Sequence, residues 1–155
     1  MASYSDKSIE RLQTAEADLQ ILFSHVIKYH DNTIVYGQRT PALQFELFKK
    51  GREYEDGKWF ISNKKLVVTN CDGYDIKSDH NIEPLSHAVD AAPYPTLYSD
   101  ENAVRHFAAM VLGIAKMLYD YGAIEHEIGS GIDWDNDNDL RDQKMFDACH
   151  FFIIQ

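Results

Sequence analysis

A chain of 155 residues, 45% hydrophobic and 26% charged, with only 8 Gly and 4 Pro, has the composition of one folded domain and excludes a disordered or collagen-like polymer. Its 15 Lys and Arg against 25 Asp and Glu leave a formal net charge of -10, which argues against broad electrostatic binding to nucleic acid or anionic lipid. Two cysteines, Cys71 and Cys149, are too few for a disulfide scaffold and read as free thiols in a reducing cytosol.

The first residues, 1–13, are polar and contain no apolar leader segment. Residues 8–29 carry Ile9, Leu12, Leu19, Leu22, Phe23, Val26 and Ile27 mostly at spacings of three and four, which predicts one amphipathic helix capped by Ser5 or Ser8. Asp31-Asn32 reads as a turn and residues 33–36 as a strand ending at Gly37. Thr40-Pro41 opens a second helix that runs to Lys50 and stops at Gly51. Asp56-Gly57 is a hairpin turn followed by a short strand, 58–61, and residues 66–69 read as another strand. Residues 71–86 form a long polar loop, and loops of that length usually carry function. Strand character returns over 87–92. Ser99 then caps the clearest helix, whose stripe of Val104, Phe107, Ala108, Val111, Leu112, Ala115 and Leu118 ends at Gly122. Its apolar run, 107–119, is interrupted by Lys116 and too short to span a bilayer. Residues 124–128 are a candidate strand, 129–142 an acidic loop, and 150–154 a terminal strand. The expected architecture is α+β, three helices packed around a small, mainly antiparallel sheet, in a single domain over 1–155.

Of the seven histidines, His25, His30, His106 and His126 read as ordinary surface or half-buried side chains. His80, Asp90 and His150 differ in setting: a polar loop, a strand end and a strand start. Two imidazoles and one carboxylate make a three-ligand set that leaves a fourth zinc position for water, and a free carboxylate nearby, Asp147, could take that water's proton. His87 is a rival ligand. It lies three residues from Asp90, so a regular strand would point the two to opposite faces.

The local sequences add to this. Ser78-Asp79-His80, then Ser86-His87-Ala88-Val89-Asp90, then Asp147-Ala148-Cys149-His150, resemble the zinc peptidase family of D-Ala-D-Ala carboxypeptidases and phage L-alanyl-D-glutamate endolysins, which carries an S-x-H…G-x-A-x-D block and a C-terminal [DE]-x-x-H block. Gly37-Gln38-Arg39-Thr40 with Gln44 looks like the family's G-x-R-T…Q segment, and Gly131-Ile132-Asp133-Trp134 is similar to its G-G-D-W run. The blocks occur in family order over residues 37–152. Three departures stand out. The interval between His80 and Asp90 is wider than in the family's compact block, Ser86 replaces a glycine, and Phe152 stands where many phage members have Glu.

The resemblance implies the zinc D-Ala-D-Ala peptidase-like architecture, with His80, Asp90 and His150 as Zn2+ ligands and Asp147 as the catalytic base. It implies Arg39 beside the substrate, orienting it or stabilising developing negative charge, and Ser78 as a further substrate contact. It also implies a monomeric enzyme with no separate wall-binding domain, acting on peptidoglycan stem peptides. Such an enzyme is made in the host cytoplasm and reaches the periplasm and cell wall through holin-type pores. A D-Ala-D-Ala carboxypeptidase or dipeptidase, or a non-catalytic metal-binding protein of the same fold, are the alternatives. Asp133, Asp135, Asp137 and Asp139, at alternate positions, make a candidate Ca2+ site. A solvated acidic loop is the plainer reading of the same residues.

Overall fold

The structure is a computed structural model and describes residues 2–137, 139–143 and 146–155. Four strands form the main sheet: β1 (Asn32–Tyr36), β4 (Ala88–Pro93), β5 (Ile128–Gly131) and β6 (Asp147–Ile153), in the order β1-β4-β6-β5 with every neighbour antiparallel. β2 (Arg52–Glu55) and β3 (Lys58–Ile61) form a separate hairpin around Asp56-Gly57, where both turn residues have positive φ. The helices are α1 (Asp6–Leu12), α2 (Ala17–Tyr29), α3 (Pro41–Phe48) and α4 (Glu101–Asp120). No helix of the described residues is long and apolar enough to cross a membrane.

The core lies between one sheet face and the pair α2 and α4. Leu19, Leu22 and Phe23 of α2 and Phe107 and Val111 of α4 are fully buried. Phe151 of β6 joins them, edge-to-face with Phe23 at 5.6 Å and Phe107 at 6.0 Å. All of β4 is buried on both faces, so its polar residue Asp90 faces an enclosed environment rather than solvent.

The α+β class holds, with four helices among the described residues instead of three. The single helix expected over 8–29 is two, because tertiary partners take the backbone between them. Ser86 N–H donates to the Thr14 carbonyl at 2.8 Å and Glu16 N–H to the Ser86 carbonyl at 2.9 Å. Gln38 N–H donates to Thr14 Oγ1 at 2.7 Å. Residues 66–69 are not a strand. A 3-10 turn spans Lys64–Leu66, and the Thr69 carbonyl accepts from Arg52 Nη1 at 2.9 Å, not from a neighbouring strand. The strand expected over 124–128 begins only at Ile128, since Asp18 Oδ2 captures the N–H groups of Glu125 and His126, each at 2.9 Å. Asp100 caps α4 in place of Ser99, accepting from Asn102 and Ala103 N–H.

Candidate metal centre

Three elements bring the proposed ligands together. Asp90 and His150 are direct partners across the β4–β6 ladder, so their side chains leave the same sheet face. His80 comes from a 3-10 turn, Asp79–Asn81, inside the long polar loop. Around this turn, Arg39 N–H donates to the His80 carbonyl at 2.8 Å, Asn81 Nδ2 to the Arg39 carbonyl at 2.8 Å, and His87 N–H to the Asp79 carbonyl at 3.0 Å. Ser86, in the place of the expected glycine, is fully buried and closes the loop by donating its hydroxyl to the Ala88 carbonyl at 2.6 Å.

The three ligand atoms converge. His80 Nε2 lies 3.1 Å from Asp90 Oδ1 and 3.1 Å from His150 Nδ1, and His150 Nδ1 lies 2.9 Å from Asp90 Oδ1. Ligand atoms on a tetrahedral zinc ion with bonds of about 2.0 Å stand about 3.3 Å apart, so this triangle is close to the size the ion requires. The protonation pattern agrees. The Gly37 carbonyl can only accept, and it lies 2.7 Å from His80 Nδ1, so the neutral ring carries its proton there and turns the Nε2 lone pair inward. Burial keeps His80 neutral by lowering its pKa. Burial would raise the Asp90 carboxyl, while the Arg39 guanidinium paired with Oδ2 opposes that and favours the ionised form. The His80 Nε2 lone pair, His150 Nδ1 and one carboxylate oxygen thus face a common point, a donor set that could hold a divalent cation.

Arg39 is placed against Asp90. Its Nη2 pairs with Asp90 Oδ2, its Nη1 donates to Gln44 Oε1 at 3.3 Å, and its guanidinium lies 4.4 Å from the Tyr36 ring centroid. The carboxylate is therefore held at one oxygen by arginine while the other faces the histidines. Gln44 is fully buried and links the surroundings: its Oε1 also accepts from Ser78 Oγ at 3.2 Å, and its Nε2 donates to Thr69 Oγ1 and the Cys71 carbonyl, each at 3.1 Å. His87 turns away, contacting Glu16 and Gln155.

Ser78, Arg39, His80, Asp90, Asp147 and His150 all line one cleft of about 430 Å³. Asp147 and His150 are three apart on β6, yet both reach it. The ladder is irregular there, with Gly131 paired to Asp147 immediately after Ser130 pairs with Phe151. Burial, then the Asp90 charge, pushes the Asp147 carboxyl up to about 6. Trp134 stacks on His150 at 5.3 Å and on Phe152 at 5.6 Å, so the residue in the place of the family's Glu supports the ligand ring. A side chain at Gly131 would meet the Asp147 carbonyl and, at 2.8 Å, the Trp134 ring, which explains glycine there. Sequence reasoning missed the roles of Gln44, Trp134 and the Gly37 carbonyl, although all three residues lie in quoted blocks. Cys149 is buried beside His150 with its Sγ outside the ligand triangle.

In the acidic loop, Asp133, Asp135 and Asp137 come close enough to hold an ion, while Asp139 pairs with Arg141 at 2.8 Å.

Neither a family model nor a curated protein matches the sequence. Among solved structures, the crystal structure of the Serratia marcescens L-Ala D-Glu endopeptidase ChiX aligns over 99% of this chain and 91% of its own, with a TM-score of 0.63 and 18% identity. The chain therefore shares the fold of a peptidase structure, and within that fold carries a buried His–Asp–His group able to hold a metal ion.

Proposed function

We propose that the protein is a zinc-dependent peptidase that hydrolyses the stem peptides of peptidoglycan at the L-alanyl-D-glutamate bond. The observation that carries this reading is the convergence of His80 Nε2, Asp90 Oδ1 and His150 Nδ1 within 3.1 Å on a cleft that Asp147 also lines. The fold of the Serratia marcescens endopeptidase supports it.

His80, Asp90 and His150 would hold the ion. Zinc, when bound there, supplies Lewis acidity that acidifies water and polarises a carbonyl. Asp147 takes the proton of the attacking water on its carboxylate and returns it to the leaving amine. Arg39 fixes Asp90 through Oδ2 and keeps Oδ1 turned to the histidines. Ser78, held by Gln44, contacts the peptide at the cleft wall. The phage-endolysin setting belongs to the same proposal: synthesis in the host cytoplasm and passage to the wall through a holin-type pore.

Metal analysis and turnover test the reading together. One zinc per chain is expected in the purified protein, lost in His80→Ala, with release of L-alanyl-D-glutamate cleavage products from purified sacculi. Asp147→Asn is expected to retain zinc and lose about 10²–10⁴-fold in rate, the size of a missing acid–base group. Zinc retained by His80→Ala, or equal rates for Asp147→Asn, would overturn the assignment.

A further inference from the structure

The segment 45–77 is unlike the rest of the molecule. Within it only Gly73 is buried, yet Tyr54, Phe60, Ile61, Leu66, Val68, Tyr74 and Ile76 are all exposed. Exposed apolar surface of this extent on a soluble fold marks a contact site. The segment also holds seven of the 15 Lys and Arg residues against six Asp and Glu, so it is about neutral in a chain of formal charge -10.

The hairpin sorts these groups by face. Register pairs Arg52 with Ile61 and Tyr54 with Trp59, and alternation puts these four on one face, while Glu53, Glu55, Lys58 and Phe60 take the other. The first face has no acid. Its rings continue into α3 and the loop as a row: Tyr54–Trp59 at 5.1 Å, Trp59–Phe45 at 5.7 Å, Phe45–Tyr74 at 5.9 Å. Tyr54 and Tyr74, at its two ends, are 61% and 58% exposed. Lys49 and Arg52 lie over Phe45 and Phe48 at 5.6 and 4.1 Å. The surface runs directly into the candidate active cleft, since Leu47, Val68 and Lys77 line that cleft.

We propose that this aromatic and cationic face docks the wall polymer itself, outside the stem peptide held in the cleft; the inference rests on the peptidase reading above. A substrate with sugar rings and free carboxylates offers flat C–H faces to the ring row and negative charge to Lys49, in exchange for its exposed partner Glu46, while Arg52 is held on the Phe48 and Thr69 carbonyls and Asn70 and adds its positive field. Continuity with the cleft means one polymer strand can occupy both. The chain would then carry its wall-recognition surface within the catalytic domain.

The test uses purified sacculi and a soluble stem peptide as separate probes. Sacculus binding is read by co-sedimentation in an Asp147→Asn background, which keeps the polymer intact. Tyr54→Ala with Tyr74→Ala, and separately Lys49→Glu, are expected to weaken sacculus binding about tenfold. In the otherwise native protein they should slow sacculus hydrolysis similarly and leave soluble-peptide hydrolysis within about twofold. Unchanged thermal midpoints confirm that the variants fold. Sacculus binding equal to that of the unsubstituted surface, or a concentration-dependent dimer abolished by the same substitutions, would overturn the proposal. If the native protein cleaves neither probe but the variants still lose binding, the docking surface stands and the peptidase reading falls.

Discussion

At the scale of single residues, the site is a set of charges held by opposing terms. Asp147 shows this most clearly. Its carboxyl is raised to about 6 by burial and by the Asp90 charge, against the usual 3.8. The folded state therefore binds that proton more tightly than the unfolded chain does. The resulting stability is fully present below about pH 4 and is lost as pH rises through about 6. At neutral pH the metal-free protein carries an ionised, poorly solvated carboxylate, a cost on the order of 2 kcal/mol after allowing for partial exposure. Asp147→Asn removes it. Denaturant melts of the metal-free proteins should show the variant more stable by roughly that amount at pH 7.5, with the gap closing towards pH 4. Adding zinc should shrink the gap at pH 7.5, because a nearby cation favours the carboxylate. A gap that did not change with pH would show that the gain comes from packing rather than charge.

Elements bring these residues into register, and their junctions carry more of the site than their interiors. Gly37 ends β1 at a point where a Cβ would collide with the Arg11 carbonyl and Thr14 Oγ1. Its own carbonyl sets the His80 tautomer. Gly37→Ala should push β1 away from the end of α1, cost about 2–4 kcal/mol, and weaken zinc binding as His80 loses its acceptor. Gly57 is the control: at φ +80 it has nothing within 4 Å of an added Cβ. Gly57→Ala should cost about 1–2 kcal/mol of backbone strain and leave zinc affinity unchanged. Zinc titration and denaturant melts of both variants check the contrast. The same junctions explain what the sequence could convey. That His80, Asp90 and His150 would meet on a cleft shared with Asp147 was legible because the ordered blocks of the resemblance single out those positions. The α4 stripe and the Asp56-Gly57 turn were legible because their signals are local. The break between α1 and α2 was not, because 8–29 keeps helical periodicity and only Ser86 and Gln38, distant in sequence, claim its backbone. Gln44 stood out by its place after the Gly37–Thr40 segment, but its role was hidden: nothing local tells that its amide joins Arg39, Ser78, Thr69 and Cys71.

For the molecule as a whole, the proposed ligands tie the polar loop that carries His80 to two strands already paired in the main sheet. His80 belongs to a loop outside the main sheet, Asp90 to β4 and His150 to β6. An ion that binds only the folded arrangement stabilises all three at once. The gain is about 2.7 kcal/mol at a free concentration of 100 times the dissociation constant and about 4 at 1,000 times. For a domain of this size each kcal/mol corresponds to about 2–5 °C in Tm. Chelation should therefore lower Tm by roughly 10 °C, and zinc should restore it. In His80→Ala the difference between chelated and zinc-supplemented protein should nearly vanish. In His87→Ala it should persist in full, since His87 points to Glu16 and Gln155. Calorimetry of the three proteins with and without zinc separates the ligands: a His87→Ala protein that no longer responds to zinc would move the ligand assignment from His80 to its rival and detach the loop 71–86 from the metal centre.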